Sequence, residues 1–157
     1  MLLNHYKAML EQHLQGKLAS FVSESGKNYT FANLENQAKE ALLPLLVHQV
    51  GVIAFGGDNT PETGESYCLK KKITAGLNVA LTRRVVDNED GSHSSIVTAN
   101  CTNVSTEPIT IGEIGLDESV TYGNGSASVY VDRTPLGTPL TIQPGEVGRI
   151  VYTITMA

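Results

Sequence analysis

The sequence predicts a mostly β protein: an antiparallel β-sandwich of seven or eight strands in residues 49–157, preceded by an N-terminal helical arm in residues 1–48. Three observations carry this reading. Apolar residues recur at three- and four-residue spacing up to Leu45 and at a spacing of two after Gln49, a change from helical to strand period. The first stretch is rich in Leu, Ala, Gln and Glu, the second in Val, Ile, Thr, Gly and Ser. Turn signals then divide the second stretch at the close intervals typical of sandwiches.

In the arm, Leu2, Leu3, Tyr6, Met9, Leu10, His13, Leu14 and Leu18 form one apolar stripe on a helix. Residues 23–28 read as a loop. A second helix is expected from Thr30 or Asn33, with Leu34, Ala38, Ala41, Leu42 and Leu45 inward and Pro44 kinking or ending it. Helices this short need a partner surface. Leu3, Tyr6, Leu10, Leu14, Leu34, Leu42 and Leu45 are therefore expected to form an assembly or anchoring face.

The β region opens with a short apolar strand at 50–55, followed by a turn-rich loop at 56–64. Strands are expected at Cys68 to Thr74 and Leu77 to Val86. Asp87-Asn88-Glu89-Asp90-Gly91 has strong turn chemistry, so 77–86 and 95–103 should form an antiparallel hairpin. Residues 109–116 follow Pro108 as a strand whose two faces both carry apolar residues, the mark of a central strand. A Gly-rich loop at 122–126 precedes a strand at 127–132. Gln143-Pro144-Gly145-Glu146 suits a type II turn before a last strand at 147–155.

Composition excludes several functions. The chain has 157 residues, 41% apolar and 17% charged, against about 25% charged in an ordinary soluble domain. Its net charge is −5. Four lysines balance four glutamates in residues 1–48, so 49–157 carries all of that charge. This argues against a nucleic-acid partner held by counterion release and against a polybasic membrane-surface role. Polar residues interrupt the first 18, so neither an export signal nor a membrane-spanning helix is expected. The four Asn-x-Ser/Thr sequons then carry little meaning. Cys68 and Cys101 are expected as free buried thiols.

A longer pattern runs from Ala99 through Asn103-Val104-Ser105 to Ile109-Thr110-Ile111-Gly112-Glu113-Ile114-Gly115-Leu116. It continues with Val131-Asp132-Arg133-Thr134-Pro135-Leu136, then Gln143-Pro144-Gly145-Glu146 and a closing Val151-Tyr152-Thr153-Ile154-Thr155. Over roughly residues 50–156 it resembles the C-terminal β domain of small tailed-bacteriophage structural proteins, with their E-I-G-L strand, R-x-x-L element and P-G-E turn. Phe55-Gly56-Gly57-Asp58-Asn59-Thr60-Pro61 is similar to their G-x-G-T-x-x-P loop. The resemblance implies an Ig-like or jelly-roll-like domain in a virion component: capsid decoration or cement, collar or neck, or tail.

Candidate sites are few. Glu113 is an acid within an apolar strand, and a buried carboxylate is costly unless paired. It is expected in a structural ion pair with Arg83, Arg84 or Arg133, one that could span a subunit interface; the other readings are exposure at an edge and a catalytic acid, for which the sequence nominates no second group. Asp87, Asn88, Glu89 and Asp90 offer oxygen ligands without an EF-hand's spacing, so a solvated turn is the expectation over a Ca²⁺ site. Asp58, Glu62 and Glu65 read the same way. Lys70-Lys71-Lys72 reads as a guarded strand edge. Tyr122 and Tyr130 flank the Gly-rich loop and are the residues a ligand loop would use. No catalytic, cofactor or metal constellation can be assembled.

The expected function is thus a non-enzymatic virion structural protein without cofactors, assembled in the host cytoplasm. Its partners would be copies of itself and other virion proteins (major capsid, portal or neck, tail), with neither nucleic acid nor membrane. The alternative is a tail-fibre or tip module recognising a host-surface glycan, against which the 6% aromatic content counts.

Overall fold

The computed structural model describes residues 20–30, 52–63, 65–122 and 125–156. The protein is mostly β, and no helix occurs among the described residues. The strands are β1 (Ser20–Val22), β2 (Asn28–Thr30), β3 (Val52–Gly56), β4 (Leu77–Asp87), β5 (His93–Asn103), β6 (Ile109–Tyr122), β7 (Gly125–Ile142) and β8 (Val147–Met156). They form a β1-β2 hairpin and two three-stranded sheets, ordered β3-β6-β7 and β4-β5-β8.

The described residues divide into two compact units, one from 1–72 and 111–139, the other from 73–110 and 140–157. In the first, β3 runs antiparallel to β6, with Phe55 opposite Ile114 and Gly56 opposite Glu113. Only two residues separate β6 from β7, which fixes that pair as antiparallel too, since a parallel return needs a crossover of about a dozen residues. β6 is central, as its two apolar faces require: Ile111, Gly112, Glu113, Ile114, Gly115 and Leu116 are all buried. Ile53, Phe55, Leu69 and Tyr130 complete this core.

In the second unit, β4 and β5 form the expected hairpin, paired at every position from Leu77–Asn103 to Asp87–His93. β5 is central, with β8 on its other side. Val97, Ala99 and Cys101 alternate along it with no exposed surface, and Ile142 and Ile150 join them. Full burial of one such aliphatic side chain stabilises the fold by about 1.5–3 kcal/mol. The chain passes from β7 into β8 through a turn at residues 143–146, where Glu146 N–H donates to the Gln143 carbonyl at 3.0 Å and Gly145 holds φ at +79°.

Three expectations change. Residues 68–74 do not form a strand; they turn at 70–71 and touch β3 through one bridge, Lys72 to Gly56. The backbone N–H groups of Lys70 and Lys71 donate to the Glu113 carboxylate, so they are lost to a ladder. The strand expected at 127–132 is the start of β7, which continues to Ile142. Its prolines, 135 and 139, are tolerated because β7 is the edge of its sheet among the described residues. Within the expected helical arm, residues 20–30 form the β1-β2 hairpin, closed by Ser23 N–H to the Lys27 carbonyl at 2.9 Å. The two predicted helices, with Leu3, Tyr6, Leu10, Leu14, Leu34, Leu42 and Leu45, lie outside the described residues.

Candidate functional site

The most concentrated chemistry among the described residues is buried in the β3-β6-β7 unit. Glu113 and Arg133 are both fully buried. Arg133 Nε donates to Glu113 Oε2 at 2.6 Å. The same carboxylate accepts backbone N–H bonds from Lys70 at 3.2 Å and Lys71 at 2.8 Å. Two glycines make the room. A Cβ on Gly56, opposite Glu113, would fall onto that carboxylate. A Cβ on Gly112 would stand 3.0 Å from the backbone of Gly57 and Asp58.

The rest of the guanidinium reaches loop 57–63. Nη1 donates to the Thr60 carbonyl at 3.2 Å and to Glu62 Oε2 at 3.0 Å, and Nη2 to Asp58 Oδ1 at 3.3 Å. Thr60 donates to Asp58 through both its N–H, at 2.9 Å, and its hydroxyl, at 2.6 Å. The Lys70 ammonium donates to the Thr60 hydroxyl. One guanidinium thus holds three carboxylates, and the loop, the 70–71 turn and strands β6 and β7 are tied at a single point.

Electrostatics favour the ionised forms. Burial works against the charge on Arg133, but hydrogen bonds to Glu62 and Glu113 outweigh it and raise its pKa above the ordinary value. The side-chain and backbone hydrogen bonds from Thr60 hold Asp58 below its ordinary value, helped by Lys70 and Arg133. Glu113 and Arg133 have no surface that a substrate could touch, and each already has several partners. The arrangement acts as a clasp. Removing one partner of such a pair leaves an uncompensated buried charge and costs about 3–5 kcal/mol.

The other predicted residues fall elsewhere. Of the three arginines expected as partners of Glu113, Arg133 is at the site; Arg83 and Arg84 lie in the other unit, exposed on β4 opposite Val97 and Ile96. Tyr130 is fully buried against Leu69, with the Lys72 ammonium 5.8 Å from its ring centre, so it is not displayed to a ligand. It sits well inside β7, where its ring belongs to the core. Tyr122 ends β6. Lys72 also pairs with Glu24 at 2.6 Å. In the 87–92 turn, Asp87 Oδ1 meets His93 Nδ1 at 2.7 Å, and Asp90 accepts from both the N–H and the hydroxyl of Ser92. Among the described residues no cluster of three or more His, Cys, Asp or Glu is placed to hold a metal ion. Asn103, first residue of a sequon, is fully buried. Its amide donates to the Glu107 and Ile142 carbonyls and accepts from Ser105 N–H and hydroxyl, so it stitches strand ends together.

Asp58 and Glu62, expected as solvated loop acids, both bind the Arg133 guanidinium. Asp58-x-Thr60 is a recognisable Asx-turn signal, but nothing local marks Glu62 as a partner of Arg133, 71 residues away, or the amides of Lys70 and Lys71 as partners of Glu113, 43 and 42 residues away. No protein-family model, curated protein or solved structure matches the chain.

Proposed function

We propose that the chain is a non-enzymatic structural component of a tailed-bacteriophage virion, with residues 49–157 as a β-sandwich of Ig-like or jelly-roll-like kind. In this reading it decorates or cements the capsid, or forms part of the neck or tail, through contacts with its own copies and other virion proteins. One observation supports it above the rest. The loop at Phe55–Pro61, the E-I-G-L strand and the R-x-x-L element are three separate parts of the resemblance, and they meet at one place. Asp58 and Thr60 come from the loop, Glu113 from the strand and Arg133 from the last element. Unrelated pieces of ordinary β-strand sequence have no reason to share a buried cluster, whereas parts of one folding unit do. The cluster also braces a loop and closes off its charged groups, which suits a contact scaffold.

Gold-labelled antibody against the chain, applied to purified particles from the host that produces it, tests the reading. Label confined to head, neck or tail is the expected result. Purified particles without label and without the chain by mass spectrometry overturn it.

A further inference from the structure

β4 is a long, regular edge. It runs 11 residues and pairs with β5 at each of them, without a bulge, proline or internal glycine. It stands at the end of the β4-β5-β8 sheet, so among the described residues no strand lies along its outer row of N–H and C=O groups. Proteins that stay monomeric blunt such edges by shortness, bulges, proline or charged side chains, and of these devices β4 carries only charges, Arg83, Arg84 and Asp87. β4 also extends an apolar face outward. The face that buries Val97, Ala99 and Cys101 on β5 continues on β4 as Val79, Leu81, Arg83 and Val85, where Leu81 is 36% and Val85 70% exposed.

The charges along this strand form two blocks. Arg83 and Arg84 are followed by Asp87 and, in the turn, Glu89 and Asp90, all exposed. A positive block followed by a negative one is complementary to its own reverse. We propose that β4 pairs antiparallel with β4 of a second copy of this chain, about a two-fold axis at Val85, joining two three-stranded sheets into one.

That register sets Arg83 opposite the partner's Asp87, twice by symmetry, and Val85 opposite the partner's Val85. Arg84 then lies opposite the partner's Val86, with the partner's Asn88 and the partner's Arg84 on its diagonals. Axes at Arg83 or Arg84 would instead set like charges face to face, which destabilises cross-strand pairs. A two-fold contact of this kind is isologous and closes on itself, so it gives a dimer and not a fibre. The two strands overlap over residues 83–87, so Val85 meets Val85 on the apolar face and the outer backbone groups of that stretch of β4 gain partners. The inference rests on the reading of the chain as a self-assembling component and names its contact.

Light scattering of the full chain over a concentration series, with charge-swap variants, tests it. The expected result is a monomer–dimer transition weakened by salt, because its charge pairs are exposed. Arg83→Asp and Asp87→Arg should each raise the midpoint concentration roughly tenfold or more, by turning two opposite-charge contacts into like-charge ones. The double variant should return it close to the original. Val85→Lys, at an exposed site that does not threaten folding, should also break the dimer. A single-chain mass at every concentration overturns the proposal. A dimer indifferent to all three single variants overturns this surface while leaving self-assembly intact, and particle labelling tests the virion reading separately.

Discussion

Glu113 and Arg133 show what a buried charge demands of its neighbours. Two strands, a loop and a turn supply hydrogen bonds to one ion pair. Glu113→Gln keeps the shape and removes the charge, so Arg133 keeps only Asp58 and Glu62 as anionic partners. A loss of about 3 kcal/mol is expected in urea unfolding. Arg133→Met should cost at least as much, because it leaves Glu113 buried beside two other acids. The double variant Glu113→Leu with Arg133→Met should lose less than the sum of its parts, since each partner's removal is costly mainly through the charge left behind. Cys101 gives a second prediction at this scale. Burial pushes its thiol up to about 11, from an ordinary value of 9.0. A neutral thiol is the form the fold accepts, so this contribution is fully present below pH 9.0 and is lost as pH rises through about 11. At neutral pH a thiol reagent is expected to label the half-buried Cys68 before the buried Cys101, measured by mass spectrometry of the native protein.

At the scale of elements, the turns were the most legible feature. Pro144-Gly145 marks the turn before β8, and the acidic 87–91 stretch marks the hairpin of β4 and β5, because turn residues act through their own backbone. Gly145 isolates that effect. Its φ is +79° and nothing lies within 4 Å of where a Cβ would stand. Gly145→Ala is thus expected to cost about 1–2 kcal/mol from backbone strain alone. Gly137 is equally open and its φ lies outside the left-handed region. Gly137→Ala should be neutral or stabilise by up to about 1 kcal/mol through the unfolded chain. Thermal unfolding of the two variants side by side checks the contrast. Where elements were misread, distant partners had overridden local pattern. Residues 68–74 have a strand-like composition, but Glu113 captures two of their amides. β7 runs beyond the expected strand at 127–132 and through Pro135 and Pro139, which an edge position tolerates.

For the whole molecule, the mostly β class can be read from the sequence, and so can Glu113 as the residue needing a partner. The choice of Arg133 over Arg83 could not, because both arginines lie in strand-like stretches and only the fold decides which one borders β6. The acid response belongs to this scale, since each unit carries an aspartate held below its ordinary value of 3.8: Asp58 by Thr60 in one and Asp90 by Ser92 in the other. A depressed carboxylate contributes stability that is present above 3.8 and lost as pH falls through its folded value. Melting temperature is therefore expected to drop below pH 3.8, and Thr60→Val should make the drop shallower by removing the hydroxyl bond to Asp58.

The clasp around Glu113 also has a temporal side. Its bonds join positions 71, 73 and 75 residues apart through Arg133, and 42 and 43 apart through the Lys70 and Lys71 amides. Closing loops of that length costs chain entropy before any bond repays it, so contacts this remote in sequence tend to form late. Bonds made after the folding barrier leave the folding rate alone and slow the reverse step. Stopped-flow measurements should show Glu113→Gln unfolding faster while refolding at nearly the parent rate; a slowed refolding arm would place the clasp in the nucleus instead. A late clasp governs how long a folded copy lasts more than how quickly one forms.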